Sequence, residues 1–224
     1  MIYRICHREC KTNNPYGYKN LYVGNAYNYE NKDNINELNA FLNEATGIYY
    51  LWKNCNDKII GQIQYRKHLD NDEILKYSDI EILLKKYDIN TTTPYIVGNG
   101  IYLNLRGEIG TPINQRTLDK YYKLLCEIEP SLEEYLNTCY FNPGDMFITT
   151  KELYDKYCEW VFPIMIPLTK RFIKEDMKVN NKNRFMAYIF ERLLTYWINK
   201  NDLKVKTFDY VITSDRLKET EVVE

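Results

Sequence analysis

The chain has 224 residues, is 45% hydrophobic and 15% aromatic, and carries a formal net charge of −1. That apolar share is enough for a sizeable core and argues against a disordered chain, and the length suits one domain with at most an appended subdomain. The near-neutral charge gives no electrostatic reason to expect nucleic acid or an anionic membrane as a general partner.

The six cysteines are scattered and form no C-x-x-C pair, and the histidines are only His7 and His68, so a structural zinc site is not expected. No signal peptide precedes the first strand-like segment, and no run approaches the apolar length of a membrane span. The expectation is a reduced, soluble, cytoplasmic protein. The 22 tyrosines fit either an AT-rich coding sequence or a sugar-binding surface.

In chain order, Met1–Cys6 alternates loosely and reads as an opening strand, and Leu21–Val23 before Gly24 as a second. From Asn34 the period becomes helical through Ile35, Leu38, Phe41, Leu42, Ala45, Ile48, Tyr49 and Trp52, with Asn34 or Asn36 as cap. Lys58–Tyr65 is a β-branched run that predicts a buried strand, and Asp70–Lys86 returns to helical spacing. Pro94–Val97 and Ile101–Leu105 read as a strand pair around a Gly-Asn-Gly turn. Leu118–Ile128 and Leu132–Tyr140 read as helices separated by Pro130.

Asn142, Pro143 and Gly144 then form a turn before a short apolar strand, Met146–Ile148. Thr149 or Thr150 caps a helix carrying Leu153, Tyr157, Trp160 and Val161. After a polar hinge at Lys174–Lys182 comes a strongly periodic helix from Phe185 to Ile198. Lys204–Phe208 reads as a closing strand and residues 211–224 as a tail. Strands alternating with helices predict an α/β sheet flanked by helices, in a single domain.

Several residues can carry chemistry. The strand ending at Gln64 runs into Tyr65, Arg66 and Lys67; strand ends of α/β folds face the ligand crevice, and two cations there suit a phosphate or diphosphate. An ordinary solvated strand end is the equal alternative. Asp70 and Asp72 suit either a divalent ion such as Mn²⁺ or Mg²⁺ or, as the favoured reading, a helix N-terminus. Glu191 and Arg192 sit inside an apolar helix, where a carboxylate can be tuned for proton transfer; a solvated surface pair is the plainer alternative. His7 ends the first strand, and a lone histidine there is more often structural than catalytic.

Beyond these local readings, a series of motifs lines up along the chain. Cys6-His7-Arg8, Val23-Gly24 and Asp33-Asn34-Ile35-Asn36 come first. Glu44-Ala-Thr-Gly-Ile-Tyr-Tyr-Leu-Trp-Lys-Asn54 and Gly61-Gln-Ile-Gln-Tyr-Arg-Lys-His68 follow, then Asp145-Met146-Phe147-Ile148 and Ala187-Tyr-Ile-Phe-Glu-Arg-Leu-Leu194. In this order they resemble a domain family, catalogued as of unknown function, that is found in capsular and exopolysaccharide glycosyltransferases. Three positions depart from the family wording: Gln64 stands for His, Lys67 for Arg and Asp145 for Asn.

The resemblance implies a GT-A-like glycosyltransferase of hexosyltransferase type, with a nucleotide sugar, most simply a UDP-sugar, as donor and a glycan or glycolipid as acceptor. It implies that His7, Arg8, Gly24, Asn34, Tyr65, Arg66, Lys67, Asn142, Gly144, Asp145 and Arg192 contact the donor and that Glu191 acts as acid or base. Residues 1–105 would then form the nucleotide-sugar half and 106–210 the acceptor half. Membrane contact would come only through the acceptor. A catalytically silent nucleotide-sugar- or carbohydrate-binding module of the same fold is the competing reading.

Overall fold

Strand β3 (Ile59–Gln64) organises the sheet. It runs parallel to β1 (Ile2–Cys6), which in turn runs parallel to β2 (Tyr18–Tyr22), and it pairs antiparallel with β8 (Phe147–Thr150). The computed structural model describes residues 1–10, 14–29, 32–69, 74–98, 100–101, 114–177 and 184–212. Within them the sheet has the order β10-β4-β3-β8-β5-β9, with β1 and β2 joined at β3. Here β4 is Lys67–Leu69, β5 Ile89–Thr92, β9 Val205–Phe208 and β10 Tyr210–Ile212. The β5–β9 pair is parallel, whereas β4 pairs antiparallel with β10. The architecture is the α/β sheet flanked by helices that the strand–helix alternation predicts.

Alternation along the strands explains how both faces are covered. Ile60 and Phe147 point to a large cluster shared with the helices Ala45–Asn54, Lys151–Glu175 and Phe185–Lys200. Ile63, Met146 and Ile148 point the other way, into a smaller cluster with Ile80 of the helix Tyr77–Leu83. Phe162 and Phe190 meet in the larger cluster with ring centroids 5.6 Å apart. Burying each contributes about 1.5–3 kcal/mol.

Thr150 caps the helix Lys151–Glu175 by accepting from the Leu153 amide at 3.4 Å, as its position predicts. That helix runs on past the expected start of the hinge at Lys174, straight through Pro163 and Pro167. Both prolines face solvent, so the carbonyls they leave without an amide partner can bond to water. Residues 178–182 of that hinge lie outside the described residues.

Several boundaries differ from the sequence reading. The helix expected from Asn34 to Trp52 is a 3₁₀ turn (Asn36–Leu38), a short helix (Asn39–Leu42) and then Ala45–Asn54. The break falls at Asn43, whose φ of +47° is left-handed. Neither Asn34 nor Asn36 caps a helix. Asn34 Oδ1 instead accepts from the Asn36 amide, while Asn36 clasps a peptide of the β2 loop.

Helix 77–83 is shorter than the periodic stretch that predicts it. β6 (Tyr95–Ile96) pairs with β7 (Tyr140–Phe141) rather than with Ile101–Leu105, because Val97 and Ile101 donate to the carbonyls of Cys139 and Thr138; residues 102–105 lie outside the described residues. The helix expected to reach Tyr140 stops at Leu136. There the side chains of Asn137 and Thr138 take its last carbonyls. Four short strands, β4, β5, β7 and β10, have no counterpart in the sequence reading. Residues 211 and 212, read as tail, are instead part of β10.

Candidate functional site

The C-terminal ends of β1, β2 and β3 open onto a cavity of about 1090 Å³. Parallel pairing places these ends side by side: Cys6 is in register with Tyr22, and Ile5 with Gln64. Each strand therefore delivers its following residues to one place, namely His7, then Val23 and Gly24, then Tyr65, Arg66 and Lys67.

Gly24 is needed here for a steric reason. Its φ is +64°, and a Cβ would sit 2.5 Å from Asn39 Oδ1. The Asn36 side chain holds the same residue at both ends, accepting from its amide at 2.7 Å and donating to its carbonyl at 3.1 Å. The break at Asn43 brings Asn43 and Glu44 to the cavity wall.

The mouth is basic and aromatic. Arg66 lines it from the turn after β3, Lys67 from the start of β4 and Arg184 from the start of the helix Phe185–Lys200. The buried Tyr65 ring meets the edge of His7 at 4.4 Å and lies under the Arg66 guanidinium at 4.7 Å and that of Arg8 at 5.6 Å. Partial burial lowers the pKa of His7; Glu44 pulls it up, and Arg8, Arg66 and Arg184 push it down further. The imidazole is therefore biased toward its neutral form in a field set by three guanidiniums.

The floor is acidic and cross-braced. Gly144, with φ of +92°, and Asp145, with φ of +53°, bend the turn between β7 and β8. Gln62 and Gln64, on one face of β3, donate to the carbonyls of Asp145 at 2.7 Å and Gly144 at 3.0 Å. Thr91 and Thr92 of β5 donate to Met146 and Pro143. Thr195 accepts from the Asn142 amide and donates to its side-chain oxygen, both at 2.8 Å.

Glu191 Oε1 accepts from the Gly144 amide at 2.6 Å and Oε2 from Arg192 at 3.0 Å. Arg192 is 1% exposed, donates to the Tyr188 carbonyl and lies 4.2 Å from the Phe141 centroid. Asp145 is also buried, and its carboxyl is pushed well above the usual range. Desolvation is the main cause, with Glu191 and Glu44 adding like charge and Arg192 opposing.

Of the residues expected at the site, His7, Gly24, Tyr65, Arg66, Lys67, Asp145 and Glu191 line the cavity. Arg8, Asn34, Asn142, Gly144 and Arg192 are not on its wall. Arg8 packs on Tyr65, Asn34 closes a turn onto Asn36, Asn142 is tied to Thr92 and Thr195, and Gly144 and Arg192 hold Glu191. The sequence reading of Glu191 as a solvated surface charge does not describe a side chain held this way.

Glu44, Arg184 and Tyr188 also line the cavity and are absent from the sequence reading of the site. The recurrence of Glu44 and Tyr188 inside quoted motifs was the available signal, and Arg184 had none. Asp70 and Asp72, the candidate ion ligands, lie outside the described residues. Among the described residues no group of three His, Cys, Asp or Glu side chains is placed to hold a metal ion. No described helix is long and apolar enough to cross a membrane.

A search of curated proteins finds no match. Among solved structures the chain is similar to one described as the WbbM bifunctional glycosyltransferase in its apo form, at 21% identity and a TM-score of 0.78. The similarity covers 96% of this chain and 45% of that one, so the chain spans under half the length of that protein. At this identity the likeness speaks for the fold. The model of the family described as Domain of unknown function (DUF4422) matches residues 1–202, and the chain belongs to that family.

Proposed function

We propose that the chain transfers a hexosyl group from a nucleotide sugar, most simply a UDP-sugar, to a hydroxyl of a glycan or glycolipid, on a GT-A-like fold. The observation that carries this reading is one cavity lined both by cations, Arg66, Lys67 and Arg184, and by carboxyls, Glu37, Glu44, Glu191 and the buried Asp145. A nucleoside diphosphate sugar has the matching polarity, an anionic diphosphate joined to a neutral polyol. Tyr65 and His7 offer flat surfaces beside the cations. The likeness to a solved glycosyltransferase adds support at the level of fold.

In this reading the cations hold the diphosphate and stabilise the charge that grows on it as the bond to the anomeric carbon breaks. The acceptor oxygen forms the new bond to that carbon, and its proton passes to the Glu191 carboxylate. Arg192 and the Gly144 amide position that carboxylate. The 1–105 half supplies most of the donor contacts, joined by Arg184, and the 106–210 half supplies Glu191 and the acceptor side. The reading places the protein in the cytoplasm, touching a membrane only through a glycolipid acceptor.

One observation favours the silent-module alternative: both Glu191 oxygens already accept hydrogen bonds within the protein. A thermal-shift screen of nucleotide sugars with and without Mn²⁺, followed by transfer assays on a panel of acceptors, separates the two. Stabilisation by a nucleotide sugar together with transfer is the expected result. Stabilisation without hydrolysis or transfer establishes the module, and no stabilisation by any nucleotide sugar overturns both readings.

A further inference from the structure

Asp145 is an anomaly in the floor. It is 7% exposed, it lines the cavity, and its Oδ1 has no hydrogen-bond partner among the described residues. A buried carboxyl oxygen that no donor reaches is costly to hold as a carboxylate and much less so as a neutral acid, whose other oxygen is left for the cavity.

Its surroundings disfavour charge on it. The Glu191 carboxylate is anchored to the amide of the preceding residue, Gly144. Glu44 adds a second like charge from the turn before the helix Ala45–Asn54, and Tyr157 approaches from the helix Lys151–Glu175. Strand β3 contributes only the neutral amides of Gln62 and Gln64, both directed at backbone carbonyls. Arg192 is the cation in range, and its guanidinium bonds Glu191 and the Tyr188 carbonyl. A buried carboxyl and a partly buried neighbour with one shared cation do not both ionise cheaply.

We propose that Asp145 meets the ligand as a neutral carboxylic acid, a hydrogen-bond donor that together with the Glu191 carboxylate as acceptor grips the hydroxyls of an uncharged sugar. This deepens the proposed function and rests on it for the identity of the ligand. A hydroxyl both donates and accepts, so an acid beside a carboxylate satisfies both of its capacities. A sugar bearing its own carboxylate would bring a further negative charge to a floor already holding Glu191 and Glu44. The site is therefore selective for hexoses over hexuronates.

The test uses Asp145→Asn, because asparagine tolerates the left-handed backbone at this position and stays neutral at every pH. In protein labelled with ¹³C at the aspartate carboxyls, the resonance missing from the variant should remain at its protonated position at pH 7. Stability gives a second reading that needs no ligand. A raised carboxyl binds its proton more tightly in the folded than in the unfolded state, so wild-type stability falls as pH rises from the ordinary value of 3.8 toward Asp145's own. The melting-temperature advantage of Asp145→Asn should therefore grow across that window and vanish below it. The third reading is calorimetry with UDP-glucose and UDP-glucuronate on the wild type, where the uronate should bind at least about tenfold more weakly, or about 1.4 kcal/mol.

A resonance that titrates with the ordinary aspartates, or a stability difference of opposite sign, overturns the neutral acid while leaving the glycosyltransferase reading intact. Equal or tighter binding of the uronate overturns the sugar class. Failure of every nucleotide sugar to bind overturns the proposed function and this grip with it, even where the resonance is that of a neutral acid.

Discussion

At the mouth of the cavity, Arg66, Lys67 and Arg184 stand at strand and helix ends with partly or fully exposed side chains. At the floor, Asp145 is set into a turn braced by β3, by β5 and by Glu191 of the helix Phe185–Lys200. The mouth is assembled from charge that water and salt can screen, and its residues can adjust to a ligand. The floor is assembled from short hydrogen bonds between distant segments and has little freedom to adjust. Exposed cations attract and retain an anion. A rigid carboxyl pair can hold one geometry, which is what a proton-transfer step requires.

Changes at the floor should therefore strike turnover and changes at the mouth should strike affinity. The largest effect is expected from Glu191→Gln, which keeps the shape and removes the base. Turnover should fall by about 10²–10⁴-fold, far more than donor affinity, because the glutamine amide oxygen can still accept from a sugar hydroxyl but cannot take its proton. If binding and turnover fall together, Glu191 serves the turn rather than the reaction, and the contrast between the two regions collapses.

Arg66→Ala comes next. Loss of a hydrogen bond to a charged group should weaken nucleotide-sugar binding by about 1.5–3 kcal/mol, measured by titration calorimetry. The loss should shrink in high salt, because this end of the cavity is open to screening. Unchanged affinity with an intact fold would remove Arg66 from the site.

The smallest effect is expected from Asp70→Asn. The helix that follows begins at Tyr77 with Lys76 as its N-cap, which overturns the expected capping role of the aspartates; if Asp70 holds no ion, any Mn²⁺ dependence of donor binding should be the same in variant and wild type. A large loss of that dependence would instead establish Asp70 as a metal ligand.

The two regions also differ in how plainly they appear in the sequence. The mouth was half legible, because Ile59–Gln64 is a β-branched run and the residues following a buried strand can be expected at a crevice. Arg184 was not, since a polar segment before a helix carries no sign of which wall it will join.

The helix bearing Glu191 was legible from its period, but the direction of Glu191 was not. An acidic residue in an apolar helix reads the same whether it meets water or a turn folded in from 47 residues away. Strand β5 escaped altogether. Ile89-Asn-Thr-Thr92 is buried along its whole length yet has a single apolar side chain, because its hydroxyls serve the carbonyls of the 143–146 turn. Pattern reading recognises strands that bury hydrocarbon and misses those whose burial is repaid in hydrogen bonds. The left-handed Asn43, which splits one amphipathic stretch into two helices, is invisible for a related reason, since helical spacing continues across the break.

The two glutamines of β3 have a consequence for how the protein comes to be active. They reach partners 83 and 80 residues further along the chain, and Glu191 reaches Gly144 across another 47. Closing such long loops is entropically costly before the contacts reward it, so the floor belongs to the late-forming part of the molecule. The Gly144 amide, donating to Glu191, is in effect a built-in reporter. Its hydrogen exchange reads whether the floor of the cavity is assembled, separately from whether the sheet is folded.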